Sequence, residues 1–124
     1  MILGIGIDLV SFKRIEGVFS LYGDKFAKKI LNKNEIEEYE TAKDKVSFLA
    51  KRFAAKEAVG KAIGIGILNG ALLKNIMIDH NQMGQPTACL RDEKYSHKHM
   101  SQKILLSISD EGNFAIANAI LIES

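Results

Sequence analysis

Between residues 45 and 63 the chain reads KVSFLAKRFAAKEAVGKAI, and Ala50, Ala54, Ala58 and Ala62 recur there at every fourth position. In a helix such residues fall in one row, so the segment presents a ridge almost without bulk. That ridge predicts a long helix over 45–63 lying unusually close to a sheet. The N-terminal strand has a matching character. In ILGIGIDL (residues 2–9), Leu3, Ile5, Ile7 and Leu9 share one face, and Gly4, Gly6 and Asp8 share the other. Glycine inside a strand marks close approach of another backbone or of a ligand.

The remaining elements follow from local signals. Ser11 is a candidate N-cap for a short helix ending near Leu21. A second helical stretch covers Asp24 to Leu31, and Asn34 is a candidate cap for a third. KNIMID reads as a strand, and NQMGQPT as a turn built on Gly84 and Pro86. A polar, helical stretch is expected around 91–101. KILLSIS and FAIANAILI then read as two strands joined through DEGN. In the last strand Phe114, Ile116, Ile120 and Ile122 face one way, while Ala115, Ala117, Ala119 and Leu121 face the other. Both faces are apolar, so both should be covered. The pattern is α+β: a small, mostly antiparallel sheet packed on one long helix. One helix covers only one face of such a sheet, so the chain is not comfortable as a monomer. The small Ala115, Ala117 and Ala119 are the residues expected to pack against neighbouring subunits.

A chain of 124 residues without linker, repeat or low-complexity tract points to one domain spanning 1–124. Cys89 stands alone, so no internal disulfide is possible. A reducing cytoplasm is the expected setting, with the thiol as a small buried apolar group. The opening MILGIGIDLV is short, lacks a basic leader and contains an acid, so neither a signal peptide nor a membrane span is expected. A net charge of +2 does not announce a nucleic-acid binder, and aromatic residues do not interleave the bases. The charge is uneven, however. Lys13, Arg14, Lys25, Lys28, Lys29 and Lys33 form a basic stretch, followed by Glu35, Glu37, Glu38, Glu40 and Asp44. A basic face of this kind fits an acidic partner or a solvated helix.

Phosphate loops, nucleophile elbows and HExxH are all absent. His80, His97 and His99 lack metal-ligand spacing and read as surface residues. Asp8 and Glu57 remain. Helix packing on the first strand would bring the two carboxylates together, a hard-oxygen pair suited to Mg²⁺ with open positions for water and phosphate. Lys61, one turn beyond Glu57, would add positive charge, and Gly60 and Gly64 would leave room for a ligand. The structural alternatives are that Asp8 caps the following helix and that Glu57 and Lys61 form an i,i+4 ion pair.

These same residues carry a family resemblance. GIDLVSFKR resembles the first motif of the holo-[acyl-carrier-protein] synthases: glycine, any residue, aspartate, then arginine six residues later. FLAKRFAAKEAVGKAIGIGI is similar to their second motif, lysine–glutamate–alanine with a lysine four residues after the glutamate. KFAKKILNKNEIEEY resembles the intervening helix, and MGQP the glycine–x–proline turn. The likeness spans nearly the whole chain, in order.

The resemblance implies a 4′-phosphopantetheinyl transferase-like fold. It also implies transfer of 4′-phosphopantetheine from coenzyme A to a serine of apo-acyl carrier protein, in support of fatty acid biosynthesis. Carried over by motif, Asp8 and Glu57 would hold Mg²⁺ and, with Lys61, form the catalytic group. Arg52, Lys61, Gly64, Gly84 and Pro86 would contact coenzyme A; Arg14, Lys25 and Phe26 would dock the acidic carrier helix. A homotrimer with sites between subunits is likewise implied. Either Glu57 or a metal-bound water would take the serine proton. In place of the histidine that many relatives carry, this chain has Asp110 in SISDEG. An aspartate there repels phosphate unless it faces away or pairs with a base. The rival readings are an inactive carrier-binding module and an RNA-binding domain.

Overall fold

The computed structural model describes residues 1–65, 70–91 and 102–123. Strand β1 (Ile2–Ser11) leads into helices α1 (Phe12–Tyr22), α2 (Asp24–Ile30), α3 (Lys33–Thr41) and α4 (Lys45–Ile63). Helix α5 (Gly70–Asn75) and strands β2 (Ile76–His80), β3 (Pro86–Leu90), β4 (Gln102–Glu111) and β5 (Phe114–Glu123) complete the order. The five strands form one sheet in the order β1-β5-β4-β3-β2 with every neighbouring pair antiparallel.

Local chemistry sets the helix boundaries. Ser11 caps α1, its hydroxyl accepting from the Arg14 amide at 3.3 Å. Asp44 caps α4 through the Ser47 amide at 3.0 Å, and Gly64 ends it in the left-handed conformation (φ 86°) that glycine adopts without strain. For α3 the cap is Asn32 and not Asn34, which lies inside the helix. Asn32 Oδ1 accepts from the Glu35 amide while Glu35 Oε1 accepts from the Asn32 amide, both at 3.0 Å. The acid that a capping box needs stands three residues beyond each candidate, Glu35 for Asn32 and Glu37 for Asn34; the backbone chooses, being extended at Asn32 (φ −83°, ψ 178°) and helical from Lys33. The stretch around 91–101 expected to be helical lies almost wholly outside the described residues, as do His97 and His99.

Helix α4 lies across β1, β5 and β4, and its alanine row is buried throughout. The contact is backbone on backbone. A Cβ added at Gly4 would sit 1.9 Å from the Ala62 carbonyl oxygen, and one at Gly6 would sit 1.9 Å from that of Ala58. Alanine on the helix and glycine on the strand together permit this approach.

Ala115, Ala117 and Ala119 also belong to the face beneath α4, where each is essentially inaccessible. This corrects the expectation that they meet a neighbouring subunit. The uncovered face carries the bulkier row instead: Ile5, Ile7 and Leu9 are 68, 58 and 60% exposed, joined by Leu105, Phe114 and Ile116. The helix takes the alanine face because small side chains allow the closer approach. Cys89 is exposed rather than buried, and pairs across the ladder with Met77 of β2.

Candidate functional site

The glycine contact between β1 and α4 places the next residue of that strand face, Asp8, beside the last turns of α4. Lys61 reaches across the crossing, and its ammonium donates to the Ile7 carbonyl at 2.8 Å and to Asp8 Oδ1 at 3.3 Å. Lys61 is half exposed, whereas Asp8 is largely covered. Its cross-strand partner is thus Asp8 and not Glu57, so the i,i+4 pair does not form. Asp8 does not cap α1 either; Ser11 does.

Glu57 is partly buried on the same side and makes no hydrogen bond or ion pair with any described residue. Burial is the main cause that pushes its carboxyl above the ordinary carboxylate range, and the Asp8 charge adds to it. Lys61 and Arg14 partly offset both. The two carboxylates therefore share one electrostatic site, and the cations there do not fully neutralise them.

No cluster of three or more His, Cys, Asp or Glu able to hold a metal occurs among the described residues. Mg²⁺ does not require one, because it takes one or two carboxylates and keeps open positions for water and phosphate. Asp8 and Glu57, one of them without a protein partner among the described residues, fit that donor set.

A second region lies nearer the start of α4. A cleft of about 780 Å³ is lined among others by Lys43, Lys51, Arg52, His80, Gly84 and Pro86. Gly84 supplies the left-handed residue (φ 81°) of the turn that leads Pro86 into β3. Arg52 is buried and already engaged: its guanidinium donates to Glu35 and the Ile78 carbonyl at 3.1 Å and to Glu38 at 2.5 Å, against the Phe48 ring. It forms the cleft floor more than a free anion ligand. Asp110 pairs with Lys51 at 3.1 Å, which meets the condition that an acid there be matched by a base. Asp8, Glu57 and Lys61 do not line this cleft. Glu57 lies five residues beyond Arg52 on α4, about 8 Å along the helix axis.

Arg14 and Lys25 are exposed, and Phe26 is half-buried against Phe53 with ring centroids 6.2 Å apart. Sequence reasoning passed over Leu21 and Tyr22, two strongly exposed apolar residues at the end of α1 beside this basic surface. It also passed over Lys56, which is fully buried. An available signal was its place four residues after Arg52, on the flank of the alanine row.

Known proteins share both the fold and the motifs. The family model described as the 4′-phosphopantetheinyl transferase superfamily matches residues 4–119. The chain belongs to that superfamily. Within it the similar proteins are holo-[acyl-carrier-protein] synthases. One from Vibrio cholerae is 39% identical over 123 residues, 98% of each chain. The crystal structure of one from Neisseria meningitidis has a TM-score of 0.90 at 38% identity, covering 99% of this chain and 100% of that one. One from Bacillus anthracis, in complex with CoA (3′,5′-ADP), has a TM-score of 0.83 at 35% identity, covering 100% and 99%.

Proposed function

We propose that this protein transfers 4′-phosphopantetheine from coenzyme A to a serine of apo-acyl carrier protein, releasing adenosine 3′,5′-bisphosphate and serving fatty acid biosynthesis. The observation that carries this reading is the β1–α4 crossing, which gathers Asp8, Glu57 and Lys61 at one point. Asp8 and Glu57 would hold Mg²⁺, which when bound supplies positive charge to phosphate oxygens at the reacting phosphorus. Lys61, held by the Ile7 carbonyl, adds a second positive charge with a fixed position. The serine oxygen bonds to the β-phosphorus as the bond to the nucleotide's phosphate oxygen breaks. Glu57, which has no hydrogen-bond or ion-pair partner among the described residues, would accept the serine proton.

Lys43, Lys51, Arg52 and His80, with the Gly84–Pro86 turn, form the cleft for the nucleotide end of coenzyme A. Gly64, at the end of α4, leaves the approach to Lys61 open. Arg14, Lys25 and Phe26 face the acidic carrier, with Leu21 and Tyr22 adding apolar contact. We place this work on one domain spanning 1–124, in the cytoplasm; the lone Cys89 accords with a reducing compartment, and no described helix is long and apolar enough to cross a membrane.

A homotrimer is part of the same proposal. It is supported by the uncovered Ile5–Ile7–Leu9 face, continuous with Ile116 and Phe114 of β5, which a single chain leaves in water.

The test is to incubate the protein with coenzyme A, Mg²⁺ and apo-acyl carrier protein and weigh the carrier. Addition of one phosphopantetheine, abolished by chelation, is expected. An unchanged carrier mass under saturating substrates would refute the assignment.

A further inference from the structure

Lys56 is fully buried, yet all three of its ammonium protons have acceptors: the Ile30 carbonyl at 2.6 Å, Glu35 Oε1 at 2.6 Å and the Leu73 carbonyl at 2.8 Å. Ile30 is the last residue of α2, and Leu73 lies in the last turn of α5. Both carbonyls belong to the group a helix end leaves unpaired, and a cation there also complements the helix dipole. Glu35 sits at the opposite kind of helix end, inside the capping box of α3. It also accepts from Arg52. A buried cluster of two cations (Lys56, Arg52) around Glu35, with the exposed Glu38 at its edge, thus joins the ends of α2, α3 and α5 to α4.

We infer that Lys56 is a positioning residue that fixes helix α2, and with it the carrier-docking side chains Lys25 and Phe26, relative to the catalytic face of α4. This rests on the transferase reading above. The apolar contacts of α2, through Ala27, Ile30 and Phe26, are non-directional and tolerate sliding. The Lys56 hydrogen bonds are directional and set where along α4 the helix stops. Lys56 does not line the nucleotide cleft and reaches it only through Glu35, which Arg52 shares, so its loss bears on the carrier more than on coenzyme A.

The experiment measures both KM values by mass spectrometry of the carrier. Lys56→Met is expected to raise the carrier KM about tenfold while the coenzyme A KM stays within about twofold, in keeping with the sensitivity of transfer to ångström-scale misplacement. Because Lys56→Met removes one of the two cations on buried Glu35 and leaves only Arg52, the double variant Lys56→Met/Glu35→Gln is measured beside it. Removing one charge of each sign should recover melting temperature while the carrier KM stays high. A carrier KM that is unchanged in either variant, that recovers with the melting temperature, or that rises in parallel with the coenzyme A KM would overturn the inference alone. Absence of transfer by the unaltered protein would overturn it together with the transferase reading.

Discussion

Replacing Gly6 by alanine tests the physical basis of the site most directly. No left-handed backbone angle requires glycine at position 6, so the cost of a side chain there is steric. The new Cβ would lie 1.9 Å from the Ala58 carbonyl oxygen, 2.8 Å from the Ala62 amide nitrogen and 2.9 Å from Lys61 Cβ. Two of these are backbone atoms of a hydrogen-bonded helix and cannot rotate away. Relief therefore requires α4 to retreat from β1 by more than an ångström, opening the alanine ridge it had buried. Overpacking of this kind typically costs about 1–3 kcal/mol, and rigid neighbours put Gly6→Ala near the upper end. For a chain of this size that is a drop of roughly 10 °C in melting temperature. The same retreat draws Glu57 and Lys61 away from Asp8, and a misplacement of about 1 Å at a reacting centre can cost on the order of 100-fold in rate. Calorimetry and the carrier mass assay read the two effects. Gly17→Ala serves as control: it is exposed inside α1 with nothing within 4 Å of the added Cβ. That change should stabilise by about 0.5–1 kcal/mol, which separates the steric cost at Gly6 from the effect of replacing a glycine as such. A Gly6→Ala protein with unchanged melting temperature and full rate would show that backbone contact does not build the site.

Asp8→Asn and Glu57→Gln should each abolish Mg²⁺-dependent transfer with the fold intact; full turnover in either would remove that carboxylate from the metal site. Glu57 also carries a pH signature. Its pKa is raised by burial and by Asp8, so the folded state binds its proton more tightly than the unfolded chain. In metal-free protein it therefore favours folding at acid pH, and that contribution is lost as pH rises through the raised pKa. Urea titrations across this range should show a decline that Glu57→Gln removes, and a slope unaltered by the substitution would contradict the assignment. Arg14→Glu should raise the KM for the carrier far more than that for coenzyme A, since it reverses an exposed charge on the proposed docking face. Equal changes would place Arg14 at the nucleotide. Ile7→Glu, on the uncovered sheet face, should turn the proposed trimer into smaller species by light scattering without lowering monomer stability; a fully active monomer of the unaltered protein would count against that proposal.

Much of the framework was legible because its causes are local. The helix over 45–63 follows from its alanine period, its Asp44 cap and Gly64. Strand β5 follows from its alternation, and the join to β4 from DEGN. The pairing of Asp8 with the end of α4 was also within reach, since Gly4 and Gly6 announce a close approach one residue pair away. Other choices depend on groups that meet only in three dimensions. Both faces of β5 are apolar, and only the depth to which α4 can settle selected the alanines over the isoleucines. Asn32 and Asn34 are the same residue type, each with a glutamate three residues on, and only the point at which the backbone turns helical decided between them. Lys61 turned to Asp8, 53 residues away, instead of Glu57 on its own helix. Lys56 is the extreme case. A lysine is expected in water, and its place on the flank of the alanine row is the one local sign of burial. Only folding brings Ile30, Glu35 and Leu73 around its ammonium, and the hydrogen bonds they supply replace the water that an isolated buried charge would lack.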